Sequence, residues 1–158
     1  MTTDVRTTLL SADELAAWRA FLRAHAHLTR QLETELMADA DLPLASYDVL
    51  VQLSEAPGRR LRMTDLADRV LLSRSGLTRL VDRLERSGLV ARAKCPNDAR
   101  GTFTVLTDVG YERLRHAAPA HLDGVREHMT RHLDPAELAA LTDLLTKLLQ
   151  RDGGDIPD

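Results

Sequence analysis

Aromatic residues are scarce: one Trp, two Tyr and two Phe in 158 residues, 3% of the chain. A core must still be built, because 44% of the residues are hydrophobic and a chain of this length is expected to fold as one domain with a real interior. That interior is therefore aliphatic, made of leucine, valine and alanine, and is expected to be helical. Cysteine is nearly absent. The single Cys95 excludes an internal disulfide and fits a reducing compartment. Six prolines and eight glycines are few, and no segment is low in complexity. No apolar run approaches the ~20 residues of a membrane span. The opening MTTDVRTTLLS lacks the basic and apolar regions of a secretory signal. The expectation is a cytoplasmic protein without a membrane partner.

Catalytic signatures are missing as well. There is no glycine-rich phosphate loop, no H-E-x-x-H and no nucleophile elbow, so neither enzymatic activity nor a cofactor is expected. His128 and His132 stand four apart and have the spacing to share a zinc ion. Only Glu127 lies nearby to join them, so the pair is read as an exposed helical pair and no metal is expected. His25, His27, His116 and His121 carry no decisive pattern.

What is present is an uneven distribution of charge. Residues 59–100 hold 11 Lys+Arg against 5 Asp+Glu, a net of +6 in a chain whose total is −3, so the flanks carry −9. A basic island of this kind marks either an anionic partner, nucleic acid being the commonest large one, or a solvated helical face of mixed charge.

Periodicity supplies the frame for that island. Ser-Ala-Asp-Glu at residues 11–14 is a capping box, and Leu15, Trp18, Phe21, Leu22, His25, Leu28, Leu32 and Met37 follow at helical spacing to about Ala40. Pro43 separates a second helix, residues 44–56, which Ala56-Pro57-Gly58 stops. A third short helix is expected to be capped by Thr64, and a fourth by Ser73, ending at Ser87-Gly88 with Gly88 as the left-handed residue. Residues 89–94 and 102–106 read as strands around the turn-rich CPNDARG. Helical periodicity returns from Thr107 to about Leu133, and Asp134 with Pro135 starts a last helix. The expected order is ααααββαα: mainly α, with a small β-hairpin. The tail from Asp152 is expected to fray.

The fourth helix is the informative one. Leu77, Leu80, Val81 and Leu84 form one apolar stripe, while Ser75, Arg79, Asp82 and Arg86 fall on the opposite side. Arg74, Ser75, Thr78 and Arg79 gather at its N-terminal half, where free amides favour phosphate. Serine, threonine and arginine also read base edges. Two short helices joined by a tight turn make a helix-turn-helix, the hairpin behind them makes a wing, and Arg100 near the wing tip suits a narrow minor groove. The expected DNA-contacting set is Thr64, Ser73, Arg74, Ser75, Thr78, Arg79, Arg83 and Arg100.

The run RMTDLADRVLLSRSGLTRLVDRLERSGLVARAKCPNDARGTFTVLTDVG resembles the winged helix-turn-helix of the MarR family of bacterial transcriptional regulators. The marks are Leu66-Ala67, the Ser-Arg-Ser start of the fourth helix, VDRLERSGLV, the Asp98-x-Arg100 pair and LTDVG. The resemblance implies a homodimer on a pseudo-palindromic operator, usually a repressor released by a small molecule. It implies that the fourth helix enters the major groove, the wing reaches the minor groove, and Asp98 supports Arg100. Ala99 and Gly101 depart from the arginine-richer wings of that family. The resemblance also implies an effector site between the dimer helices and the winged module, where Trp18, His25, Tyr47 and His116 are the candidates for an aromatic, phenolic or carboxylated compound. Family members that sense oxidants do so through first-helix cysteines, which this chain lacks, so Cys95 is read as a spectator.

The expected division is a single domain, 1–158, with a winged module at 44–106 and helical dimerisation regions at 11–40 and 107–150. Dimerisation rests independently on the apolar faces of the last helix (Leu138, Leu141, Leu144, Leu145, Leu148, Leu149) and of the first (Trp18, Phe21, Leu22), which together exceed the needs of one small domain. Two alternatives stay open: a winged helix that binds protein, which would need an apolar or acidic fourth-helix face, and a constitutive DNA-binding regulator without a ligand.

Overall fold

Ser11 opens the first helix by capping it: the Glu14 amide donates to the Ser11 hydroxyl at 3.2 Å, and the Ser11 amide donates to the Glu14 carboxylate at 2.7 Å. The computed structural model describes residues 10–70, 72–95 and 98–150, with only the backbone of 95 and 98–100. The tail from Asp152 therefore lies outside the described residues. In chain order the elements are α1 (Ala12–Ala40), α2 (Leu44–Glu55), β1 (Arg60–Arg62), α3 (Met63–Arg69), α4 (Arg74–Arg86), β2 (Val90–Cys95), β3 (Asp98–Leu106), α5 (Asp108–His128) and α6 (Pro135–Leu149).

The order differs from the sequence expectation by one strand. β1 is three residues long and pairs antiparallel with β3, so the sheet is three-stranded, in the order β1-β3-β2. Three residues of exposed-buried-exposed alternation are too short to read as a strand, and pairing with β3 decides the matter. β3 also begins at Asp98, four residues before its expected start, so the hairpin is longer and its loop shorter than the sequence indicated. α5 stops at His128, and a 3-10 turn at Thr130–His132 replaces its expected last turn.

The caps expected at Ser11, Ser73 and Asp134 are present, Thr107 adds one at α5, and the one expected at Thr64 is not formed. Ser73 accepts from the Gly76 amide at 3.1 Å, and Thr107 accepts from Gly110 at 3.0 Å. Asp134 and Glu137 form a second capping box with Pro135 at the first position. Thr64, in contrast, is not a cap: α3 begins one residue before it with Arg62 at the capping position, and the Thr64 hydroxyl turns to Asp65 at 3.3 Å. α2 has Pro43 at its cap, which offers no side-chain acceptor. Instead Glu33 reaches across from α1 and accepts the Leu44 amide at 2.6 Å, satisfying one of the helix's free donors.

The core is aliphatic. Leu36, Val49, Leu50, Leu53, Leu66, Leu77, Leu80, Val81 and Val90 are fully buried, and Thr104 is buried among them on the inner face of the sheet. Its neighbours across the register are Leu61 and Arg92. One backbone crossing holds the helix-turn-helix to α5. Gly88 ends α4 at φ 72°, and Leu89 then donates to the Leu84 carbonyl at 2.9 Å. The Thr107 hydroxyl reaches the Gly88 and Leu89 carbonyls at 2.6 and 3.0 Å, and Gly110 packs directly on Leu89.

Two helical segments stay outside this core. Leu36 and Ala40 are the only buried residues of α1, both in its C-terminal half, and α6 buries none. Trp18, Phe21, Leu22, Leu144, Leu148 and Leu149 are each exposed by 43% or more. No helix among the described residues is long and apolar enough to cross a membrane.

Candidate nucleic-acid interface

The leucine stripe of α4 is sunk in the core, with Leu77, Leu80, Val81 and Leu84 all buried. That orientation leaves Ser73, Arg74, Ser75, Thr78, Arg79, Arg83 and Arg86 on the surface together. The N-terminal turn is locally ordered: the Ser73 and Ser75 hydroxyls lie 3.3 Å apart, and Thr78 donates to the Arg74 carbonyl at 2.9 Å. Thr64, on the preceding helix, is exposed too. Hydroxyls and guanidiniums on one helix face, with free amides at its start, can bind phosphate and donate to or accept from base edges. The side chains of Asp98 and Arg100 lie outside the described residues, as does the Cys95 thiol.

Asp82 does not share the free surface of Arg79. It is clamped, with Glu85, by Arg92 of β2: Nη2 donates to Asp82 Oδ1 and Nη1 to Glu85 Oε2, both at 2.6 Å, and the Arg92 amide donates to Glu85 Oε1 at 3.1 Å. The bond to Asp82 above all holds the Arg92 pKa above its ordinary value. A second basic group lies on the outer face of the sheet, where the Arg60 and Arg62 guanidiniums stand 5.0 and 5.8 Å from the centre of the Phe103 ring. Sequence reading passed over both because their meaning depends on β1 and the sheet register.

The MarR family profile matches residues 40–101, the α1–α2 junction through the wing. Sco3205 of Streptomyces coelicolor, a MarR family transcriptional regulator solved in complex with DNA, is 40% identical, with a TM-score of 0.86 over 93% of this chain and 96% of that one. This chain belongs to the MarR family. AbsC, a second MarR family regulator of Streptomyces coelicolor, is 38% identical, with a TM-score of 0.85 over 94% of this chain and all of that one. An HTH-type transcriptional regulator of Bacillus cereus is 29% identical over 120 residues, 76% of this chain and 78% of its own. The expected family and winged-helix fold are thus both found.

Within this MarR chain, the four residues expected around an effector separate. A cavity of about 930 Å3 opens where α1, α2 and α5 meet beside Leu72 of the α3–α4 turn, and His25 and Tyr47 both line it. Trp18 does not; it is 53% exposed and stacks with Phe21 at 6.3 Å. His116 lines a different cavity of about 670 Å3, next to Arg83 and Arg113. The sequence reading missed Asp48 and His121. The His121 ring lies 4.4 Å from that of Tyr47, and its buried Nδ1 has no hydrogen-bond partner. A signal was available, because His121 continues the buried α5 positions Leu114 and Ala117 at helical spacing.

Burial lowers the His121 pKa from 6.5, opposed by the Asp48 carboxylate. Burial likewise raises Asp48 above 3.8, against the Gln52 hydrogen bond and the charge of His121. As pH falls through 6.5, the unfolded chain takes up the His121 proton before the folded chain does, so this group's contribution to stability is lost on acidification. Asp48 acts oppositely, and at lower pH. Between pH 7.5 and 5.5 the wild type should lose more thermal stability than a His121→Gln variant; parallel losses would contradict the assignment. The other histidine pair divides its partners: His128 meets Glu35 at 2.6 Å, and His132 meets the Glu127 carbonyl at 2.9 Å.

Proposed function

We propose that the chain is a homodimeric, sequence-specific DNA-binding repressor of nearby genes, released by a small aromatic or carboxylated effector. The observation that carries this reading is the α4 surface: four arginines and three hydroxyl residues exposed on a helix whose other face is locked in the core. Thr64, Ser73, Arg74, Ser75, Thr78, Arg79 and Arg83 contact the major groove and its phosphates, and Arg100, supported by Asp98, enters the minor groove. The DNA complex of Sco3205 supports the same use of a similar fold. The winged module is 44–106; residues 11–40 and 107–150 form the dimer and place two α4 helices about 34 Å apart, one DNA turn. We read the protein as non-catalytic and cytoplasmic. The α1–α2–α5 cavity is the effector site, with Tyr47 and His25 on its wall; Trp18 and His116 take part only where the partner protomer brings them near.

The deciding experiment is a salt-series binding titration against DNA flanking the protein's own gene, with unrelated DNA as control. Specific binding should weaken steeply with salt. Arg79→Ala should cost about 1–3 kcal/mol on the cognate duplex and relax its sequence preference. An Arg79→Ala protein that binds that duplex as wild type does would move the reading surface elsewhere.

A further inference from the structure

We propose that Arg92 is a positioning residue for DNA reading: it fixes the angle between the recognition helix and the wing, and it neutralises Asp82, which shares the DNA side of α4, together with Glu85 on its flank. The inference rests on the DNA-reading role of α4 and adds a residue that makes no contact with DNA in that scheme. Its geometry is unusual for a surface arginine. One guanidinium bridges carboxylates at Asp82 and Glu85, three residues apart on α4, with both bonds at 2.6 Å. The backbone of the same residue donates to Glu85 at 3.1 Å, so strand and side chain are both fastened to the helix. Arg92 is only 28% exposed, on the inner side of the sheet opposite buried Thr104.

Those bonds fall between two parts that must act together. α4 is to lie in the major groove while the β2–β3 hairpin reaches the neighbouring minor groove, so an error in their mutual angle displaces one reader when the other is seated. A planar guanidinium with two donors along one edge holds both carboxylates at once; an ammonium is a point charge without that fork. The clamp also removes a conflict visible in the sequence, where Asp82 shares a helix side with Ser75, Arg79 and Arg86. An unpaired carboxylate there, with Glu85 on its flank, would repel phosphate. Paired with Arg92, the two leave the arginines of that face to act alone.

The test compares wild type with Arg92→Lys, which keeps the charge and the long stem but loses the fork. A duplex is first selected from random-sequence DNA by the wild-type dimer. On it, Arg92→Lys should bind about tenfold more weakly at 25 °C, while its affinity for a scrambled duplex and its salt slope stay at the wild-type values. A merely structural role would lower the melting temperature and leave both affinities unchanged below it. Selection of no duplex by the wild type would overturn the DNA reading and this proposal with it. If the wild type discriminates and Arg92→Lys discriminates equally well, the DNA reading stands and the positioning role is wrong.

Discussion

Gly110→Ala should cost roughly 3 kcal/mol of stability, at the upper end of what overpacking usually costs. A Cβ at residue 110 would stand 2.0 Å from the Leu89 carbonyl oxygen and 2.8 Å from Leu106 Cδ1. The first of these is backbone and cannot swing aside. To admit the methyl group, the start of α5 must lift away from the α4–β2 junction. That movement opens the contacts made there by Thr107, whose hydroxyl accepts the Gly110 amide and reaches the Gly88 and Leu89 carbonyls. For a chain of this size, about 3 kcal/mol corresponds to roughly 6–12 °C in melting temperature. Thermal unfolding followed by circular dichroism measures it directly. A variant melting within about 2 °C of wild type would mean that α5 is not seated on Leu89. The loss should extend to DNA binding, because this junction joins the winged module to α5, on which the α1–α2–α5 cavity also borders.

How much of this was legible in one dimension depends on the range of the interaction that decides each feature. The α4 stripe, the caps at Ser11, Ser73 and Asp134, and the left-handed Gly88 are local: their physics closes within about one helical turn, and the structure reproduces each. β1 was illegible because three residues become a strand only through β3. Thr64 has the chemistry of a cap, yet Arg62, not Thr64, stands at the capping position because the chain enters α3 directly from β1. Glu33 as a cap for α2 lies eleven residues from the amide it accepts, beyond any motif. Trp18, His25, Tyr47 and His116 are marked in the sequence only by polar or aromatic character on the right helices. Two reached the cavity and two did not, since which side of a helix meets a void depends on how three helices pack. Arg92 shows the same limit from the other side: its sequence context is basic, while its surroundings are two carboxylates.

Leu144→Glu combined with Leu148→Glu should convert the protein to a monomer and weaken operator binding by a hundredfold or more, on the order of the avidity gained by linking two sites. Neither leucine is seated in the core of its own protomer. They lie one turn apart on α6, exposed by 63% and 62%, on a helix that buries no residue against its own protomer. With both outside the buried core, the winged module should keep its fold and its melting transition. What they would lose is burial against a second copy, about 1.5–3 kcal/mol for each leucine and each protomer, and four carboxylates would be forced together in its place. The N-terminal half of α1, with Trp18, Phe21 and Leu22 uncovered, offers the matching apolar surface. Sedimentation equilibrium reads the mass, and the titration on the selected duplex reads the affinity. A monomeric variant that still binds as tightly as wild type would show that a single α4 suffices for recognition. A variant that stays dimeric would move the interface away from α6, leaving the exposed face of α1 as the surface that pairs.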